Sequence, residues 1–541
     1  MKLVSAAEMQ QIEREADSSG LTFAQMMENA GSGLAQYISE YYDEPGQKRV
    51  LALVGSGNNG GDALVALVKL AMRGWQTCAY LNRQRPDDDP LMVRIREAAV
   101  DVYCRDEDPG YAHLKALLDS YPVLMDGILG TGLTLPLRPG TAALLGFVRQ
   151  HILSMNERPH VVAVDCPSGV DTDTGEAAPE TIPAELTVTM AAIKKGLLRF
   201  PAADLVGELL VAHIGMVEQT PTWQSVRRTA PDQALVRCML PRRPRFSHKG
   251  TFGTALVVAG CRNYTGAALL AGEAAYRAGA GLVTLAVPES LHAVLAGRLV
   301  EATWLLLPEE VGVIAATAAP LLLEQLSRAT ALLIGPGLGL EETTRQFLEK
   351  VFSPNAHTGR SKIGFLGQDT AQAPASLVKM PPLVVDADGL KLLSHLPDWP
   401  SRLPPLSILT PHPGEMGWLT GLSKEDLQGD RIAIAEEYAA RWGHVVVLKG
   451  AFTVVASPEG DTAVIPVATP ALARAGTGDV LAGLIVGLRS QGVEAFDAAV
   501  AGAWIHAQAG IFAAEDMGNT ASVLARDVLA ACVPVMNGLV R

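Results

Sequence analysis

Ala475, Gly476, Thr477, Gly478 and Asp479 stand directly before the apolar run 480–485. Glycines and a small hydroxyl residue ahead of an apolar helical pattern leave the N–H groups of loop and helix start aimed at one spot, which attracts an anion. Asp479, at that same helix start, reads in two ways. It is either an N-cap that accepts a backbone hydrogen bond, or a carboxylate beside a bound phosphate, as the active centre of a phosphoryl-transfer enzyme requires. Five residues alone leave both readings open.

A second phosphate-binding arrangement lies near the start of the chain. The buried-strand pattern 49–54 runs into Gly55-Ser56-Gly57-Asn58-Asn59-Gly60-Gly61-Asp62 and then into a helical run over 63–72. Gly55, Gly57 and Gly60 satisfy the dinucleotide fingerprint. That fingerprint expects an acidic residue after the next strand to hold the ribose, and this chain has Asn82 and Arg83 after 77–81. An ordinary NAD-dehydrogenase site is therefore disfavoured. The paired asparagines offer neutral oxygens suited to a ribose, an amide or a monovalent cation. Two further strand patterns end in polar clusters, 123–125 at Asp126, Gly127 and Gly130 to Leu133, and 161–164 at Asp165, Cys166, Pro167 and Ser168. In an open parallel sheet such ends meet at one place, bringing Asn59, Asp126, Asp165 and Ser168 together.

These groups must be carried by alternating strands and helices, and the second half repeats the plan. Strand patterns at 255–259, 282–287, 331–334, 383–385, 408–409 and 445–448 each empty into a polar loop bearing glycine or proline. The loops include Gly335 to Gly339, Asp386-Ala387-Asp388, Thr410-Pro411-His412-Pro413-Gly414-Glu415 and Lys449-Gly450-Ala451-Phe452-Thr453. His412 reads as a turn histidine or as a site residue. Asp386 and Asp388 read as magnesium ligands or as caps of a helix over 389–396. An amphipathic helix is expected over 22–39. The pattern breaks between 217 and 244, so domains of 1–216 and 245–541 are expected on either side of a linker.

Composition narrows the class. With 541 residues the chain exceeds one ordinary core. Hydrophobic residues make up 48%, charged residues 19%, and there are 52 glycines, which suits a glycine-rich α/β enzyme. A formal charge of −13 without a long basic run argues against nucleic-acid or membrane-surface partners. The six cysteines lack CxxC spacing, and 1–20 carries four acidic residues instead of an apolar leader. A cytoplasmic protein with reduced thiols is expected, and a homo-oligomer is the expected assembly.

The blocks GSGNNGGD, DGILGTGL and DCPSGVD resemble the NAD(P)H-hydrate epimerase domain, over roughly the first 215 residues. The resemblance implies a Rossmann-like fold. It implies that Asn58, Asn59, Gly60, Gly61 and Asp62, with Gly130, Thr131, Gly132, Leu133, Thr134, Leu135 and Pro136, line the hydrated nucleotide. Asn59, Asp126 and Ser168 match potassium positions, and Asp165 a substrate-binding, acid/base position. Ala63 departs from the usual glycine.

The ordered blocks SHKGTFG, IGPGLG, VVDADGL, LTPHPGEM, VLKGA and AGTGDVLAG resemble the ADP-dependent NAD(P)H-hydrate dehydratase, of ribokinase-like fold, over most of 245–541. By that resemblance Gly253, Gly337, His412 and Asp479 contact the hydrated nucleotide. Lys449, Gly450, Ala451, Phe452, Thr453 and Gly478 contact the adenine nucleotide, which enters with Mg²⁺. Lys391 stands where relatives commonly carry Asn, and 352–382 reads as extra loop. The implied fold class is α/β with two doubly wound domains, one Rossmann-like and one ribokinase-like. The implied partners are hydrated NADH or NADPH and ADP. The alternative is a small-molecule kinase of ribokinase-like fold fused to a non-catalytic nucleotide-binding module, distinguished by a stable phosphorylated product.

Overall fold

Short runs of Val, Leu, Ile and Ala without polar alternation are what a sheet buried on both faces demands, and they form the strands here. A computed structural model describes residues 1–541 apart from 45, 47, 354–379 and 541. Most of the expected extra loop over 352–382 thus lies outside the described residues. The chain divides into Met1–Arg228 and Thr229–Arg541.

In the first unit, strands β1 (Arg49–Val54), β2 (Gln76–Leu81), β3 (Asp101–Cys104), β4 (Val123–Gly127), β5 (His160–Val164), β6 (Leu186–Met190) and β7 (Glu208–Ala212) form one sheet in the order β3-β2-β1-β4-β5-β6-β7. All its pairings are parallel. One face is covered by helices α1 (Ala6–Ser18), α2 (Phe23–Tyr41) and α3 (Asn58–Met72), whose apolar residues share a core with the sheet. The opposite face has its own core around Leu144, Leu145 and Val148. Strand order reverses direction beside β1, between β1 and β4, where open sheets of this kind bind ligands.

In the second unit, strands β8 (Thr254–Val258), β9 (Leu282–Pro288), β10 (Thr303–Leu307), β11 (Ala331–Ile334), β12 (Leu383–Val385), β13 (Ile408–Leu409), β14 (Val445–Leu448), β15 (Val454–Ala456) and β16 (Thr462–Val464) join the two-residue strand Arg228–Thr229. Their order is Arg228–Thr229, β16, β15, β14, β13, β12, β11, β8, β9, β10. The strands from β14 to β10 pair in parallel, and β15 and β16 are antiparallel. Helices α4 (Thr265–Arg277) and α6 (Thr477–Ser490) pack closely, with α5 (Pro413–Thr420) lying between them in sequence. A Cβ on Gly483 would lie 2.3 Å from the Ala271 carbonyl oxygen, and one on Gly487 2.6 Å from that of Ala275. Only glycine at these positions permits this approach, which fixes where α6 begins and so where Asp479 sits.

The stretch expected to be a linker, 217–244, is folded at both ends. Helix Pro221–Ser225 is tied to α1 by Glu15, which accepts from Thr222 N at 2.9 Å and Oγ1 at 2.7 Å. Helix Gln233–Met239 places Val236 in the core of the second unit. Buried Val226 and Val236 explain why this polar-looking stretch does not run free.

Candidate functional sites

The first site opens beyond the carboxyl ends of β1, β4 and β5. Helix α3 begins at Asn58, earlier than the sequence suggests, so the expected loop 58–62 is its first turn. Gly57 provides no side-chain cap, which leaves the N–H groups of this end directed outward. A cleft of about 870 Å³ is lined by Asn58, Asn59, Asp62, Gly130 to Thr134 and Asp165. Gly60 and Gly61 face inward, against Gly55 and Met27. Leu135 and Pro136 follow the lining stretch of that loop.

Behind the lining, Asp126 is fully buried. Its Oδ2 accepts from Ser168 N at 2.8 Å and its Oδ1 from Ser168 Oγ at 2.6 Å. Asn59 Nδ2 donates to the Leu129 carbonyl at 2.8 Å, and Leu129 N donates to Ser168 Oγ at 2.9 Å. The three expected cation residues therefore converge on one backbone turn. No ion pair reaches Asp126 among the described residues, and burial pushes its carboxyl upward.

Asp165 has φ +63°, a left-handed geometry held by its N–H bond to the Val188 carbonyl at 2.8 Å. Its Oδ1 accepts from Thr189 Oγ1 and Met190 N, each at 3.0 Å, and from Lys194 Nζ. Lys194 is 1% exposed and also donates to Thr189 Oγ1 at 3.0 Å and the Met190 carbonyl at 2.9 Å. Lys194 and Thr189 carry no signal in the sequence, because nothing local marks a lysine as buried.

The second site is organised by Lys449. Its Nζ lies 2.7 Å from Asp386 Oδ1 and 3.6 Å from Glu415 Oε2. Thr410 Oγ1 donates to the same Asp386 Oδ1 at 2.7 Å, and Asp386 Oδ2 is buried without a hydrogen-bond partner. Burial alone would lower Lys449, but Asp386 and Glu415 outweigh it and hold its pKa up. A Cβ on Gly478 would lie 3.6 Å from Lys449 Nζ, which puts the GTGD turn beside this ammonium.

The cap of α6 is Gly476, with φ +90° and no side-chain hydrogen bond. Asp479 is in the first turn and is not the cap. Burial and Asp386 push its carboxyl up to about 7, against the pull of Lys449. Asp386 and Asp388 are not caps either. The helix over 388–394 has Ala387 at its N-cap without a side-chain bond. Asp388 Oδ2 instead accepts from Gly339 N at 3.0 Å, and its Oδ1 lies 3.7 Å from Lys391 Nζ.

His412 has a structural part that the turn reading anticipates. It caps α5, its Nδ1 accepting from Gly414 N at 2.9 Å and Glu415 N at 3.2 Å, while Glu415 Oε2 accepts from His412 N at 2.9 Å. Burial lowers its pKa, with Glu415 opposing and Lys449 and Lys391 assisting. With Nδ1 as acceptor, Nε2 lies 3.4 Å from Glu415 Oε1. The 449–453 turn is held by Arg431, which was not anticipated. It donates to the carbonyls of Ala451 at 2.5 Å, Leu448 at 2.8 Å and Lys449 at 3.1 Å. Thr453 Oγ1 closes the turn on the Gly450 carbonyl at 2.9 Å.

Gly337 follows β11 on the same side of the sheet. Gly253 does not join these residues. It precedes β8, where a Cβ would lie 1.8 Å from the Ser490 carbonyl oxygen at the far end of α6. At the helical rise, that end is about 16 Å from Asp479. Among the described residues no three His, Cys, Asp or Glu side chains cluster as a metal site, and no helix is long and apolar enough to cross a membrane.

The NAD(P)H-hydrate dehydratase family matches residues 255–357 and 366–532, and the YjeF-related protein N-terminus family matches 23–196. The bifunctional NAD(P)H-hydrate repair enzyme Nnr of Moorella thermoacetica is 37% identical over 98% of this chain and 95% of its own. The chain belongs to the bifunctional NAD(P)H-hydrate repair enzyme family. The Escherichia coli member is 32% identical over 97% of this chain and 92% of its own. An ADP/ATP-dependent NAD(P)H-hydrate dehydratase of Bacillus subtilis, crystallised with ATP and Mg²⁺, is 30% identical with a TM-score of 0.46, over 57% of this chain and 97% of that one. In this repair enzyme the two sites described above fall in the two family-matched parts.

Proposed function

We propose that the first unit interconverts the two C6 epimers of hydrated NADH and NADPH, and that the second dehydrates the S epimer at the expense of ADP, yielding NADH or NADPH, AMP and phosphate. The observation that carries the dehydratase reading is the position of Asp479 in the first turn of α6, whose start has no side-chain cap and lies beside Lys449, with burial pushing the Asp479 carboxyl up to about 7. A carboxyl near neutrality is suited to remove the C6 hydroxyl proton. The alkoxide then attacks the terminal phosphoryl group of ADP, while the N–H groups of the GTG turn face the developing charge. Phosphate on C6 is a good leaving group; the N1 lone pair expels it, and loss of a C5 proton to the departing phosphate forms the C5–C6 double bond and restores the dihydronicotinamide.

The orphaned, buried Asp386 Oδ2 fits a Mg²⁺ that is carried mainly by nucleotide phosphates. Asp386 and Asp388 would hold it, and it would neutralise phosphate charge. In the first unit, the unpaired carboxylate of Asp126 with Asn59 and Ser168 suits a monovalent cation bound through oxygens. Potassium there would hold the 128–130 turn against the substrate. Asp165, oriented by Lys194, is the acid/base. A cytoplasmic location is supported by six free cysteines, five of them buried.

Absorbance at 340 nm tests the reading, using mixed NADH-hydrate epimers with and without ADP and Mg²⁺. The expected result is full return only with ADP, loss in Asp479→Ala, and a slow second phase in Asp165→Ala. No effect of ADP on the wild type sinks the dehydratase reading.

A further inference from the structure

The cleft of the first unit runs across the ends of neighbouring strands. Arg83 follows β2, the glycine turn follows β1, the Gly130 loop follows β4, and Asp165 follows β5. From β2 to β5 is three strand spacings, about 14 Å. With the reacting ring at Asp165 and the pyrophosphate at the start of α3, the far ribose of a dinucleotide comes to the end of β2. At that end an NAD site places a carboxylate for the 2′-hydroxyl, and an NADP site an arginine for the 2′-phosphate.

Here the end of β2 has no acceptor to offer. Asn82 is 8% exposed; its Oδ1 accepts from Arg105 Nη1 at 2.7 Å, and its Nδ2 donates to Thr141 Oγ1 at 3.3 Å. A Cβ on Gly140 would lie 2.9 Å from the same Arg105 Nη1, so one guanidinium joins the end of β2 to the start of the helix Pro139–Ser154. The join brings together Arg83, next to Asn82, and Arg138, at the N-cap of that helix, and both line the cleft. Arg85 pins the loop after β2 against the glycine turn, donating to the Gly55 carbonyl at 3.2 Å and to Asp89 Oδ2 at 2.8 Å.

Arg83 and Arg138 are exposed, and among the described residues neither guanidinium makes a hydrogen bond or an ion pair. Of the acids in 87–89, Asp87 pairs with Arg96, Asp89 with Arg85, and Asp88 does not line the cleft. Arg14, the third arginine of the lining, is on α1 and gives its Nε and Nη2 to Gln11 Oε1. Two uncommitted planar forks beside a neutral Asn82 suit a dianionic phosphate, which each can bind in bidentate fashion.

We infer that Arg83 and Arg138 form a subsite for the 2′-phosphate and make hydrated NADPH the preferred substrate of the first unit. This rests on the epimerase reading of that unit. The subsite discriminates between substrates and leaves the chemistry to the Asp165 end.

The test uses the full chain without ADP, following R/S exchange of NADPH hydrate and of NADH hydrate by proton NMR. The quantity read is the ratio of the two kcat/KM values. In the wild type it is expected to favour NADPH hydrate by about tenfold or more, and to shrink as ionic strength rises. Arg83→Ala and Arg138→Ala should each lower it by about tenfold, and Arg83→Glu should invert it. Adenosine 2′,5′-bisphosphate should inhibit exchange more strongly than 5′-AMP in the wild type, and no better than 5′-AMP in Arg83→Ala. A wild type that exchanges both hydrates with a ratio within about twofold of one, or a ratio that Arg83→Ala with Arg138→Ala leaves within about twofold of wild type, overturns the subsite alone. A wild type that exchanges neither hydrate overturns the epimerase reading and this inference with it.

Discussion

Lys449 Nζ and Asp386 Oδ1 lie 2.7 Å apart, with the Asp386 side chain 1% exposed and that of Lys449 16%. The pair joins the ends of β12 and β14 beneath the start of α6. Lys449→Met leaves a buried carboxylate with only Thr410 as partner. Removing one member of a buried pair costs about 3–5 kcal/mol, so the melting transition of the second unit falls, and the KM for ADP rises. A melting curve unchanged in Lys449→Met would show that the Asp386 charge is compensated by something other than this lysine.

Asp479 ties activity to stability with opposite signs. Its carboxyl titrates at about 7 in the fold against an ordinary 3.8. The folded state therefore binds more protons than the unfolded one between these values, and its stability falls as pH rises through that window. Asp479→Asn removes the penalty. The variant is expected to melt higher than wild type at pH 8, with little difference at pH 4, while ADP-dependent dehydration falls by about 10²–10⁴-fold. Wild-type dehydration should decline as pH drops below 7, where the base becomes protonated. Calorimetry at the two pH values, paired with 340 nm rates, checks both signs.

Much of this was legible in the sequence, for a physical reason. Strands buried on both faces announce themselves as apolar runs, and their polar ends mark the ligand side of a parallel sheet. Asp126, Asp165, Asp386 and Lys449 were all found by that route. Lys194 and Arg431 were not, since each acts on groups distant from it in sequence and neither stands in a polar loop directly after a strand of the parallel sheets. Gly253 fails to join the others because a glycine within a loop block carries no information on which end of the sheet it sits. The cap reading of Asp479 needed the helix to start three residues later than it does, and the left-handed Gly476 at the cap settles it.

Potassium dependence should belong to the first unit alone. Replacing K⁺ by a large organic cation is expected to slow epimer exchange and to leave S-epimer dehydration unchanged. In Asp126→Asn the exchange rate should be low and insensitive to K⁺, since the amide keeps the Ser168 contacts but supplies no charge. Exchange that remains K⁺-dependent in Asp126→Asn places the cation elsewhere.

Arg431 makes a prediction about binding and none about chemistry. Its guanidinium holds three carbonyls of the 448–451 turn, at 2.5–3.1 Å, from the first residue of the helix Arg431–Trp442. Burial lowers its pKa to about 10, which still leaves it charged at neutral pH. A lysine has one ammonium where arginine has a planar fork, so it can satisfy only part of this set. Each charged hydrogen bond lost is worth about 1.5–3 kcal/mol, and about 1.4 kcal/mol is tenfold in affinity. Arg431→Lys is therefore expected to raise the KM for ADP about tenfold or more, through a looser 449–453 backbone, with kcat within a few-fold of wild type. ADP titrations of the dehydration rate distinguish this from a catalytic part, in which kcat would fall and KM would hold.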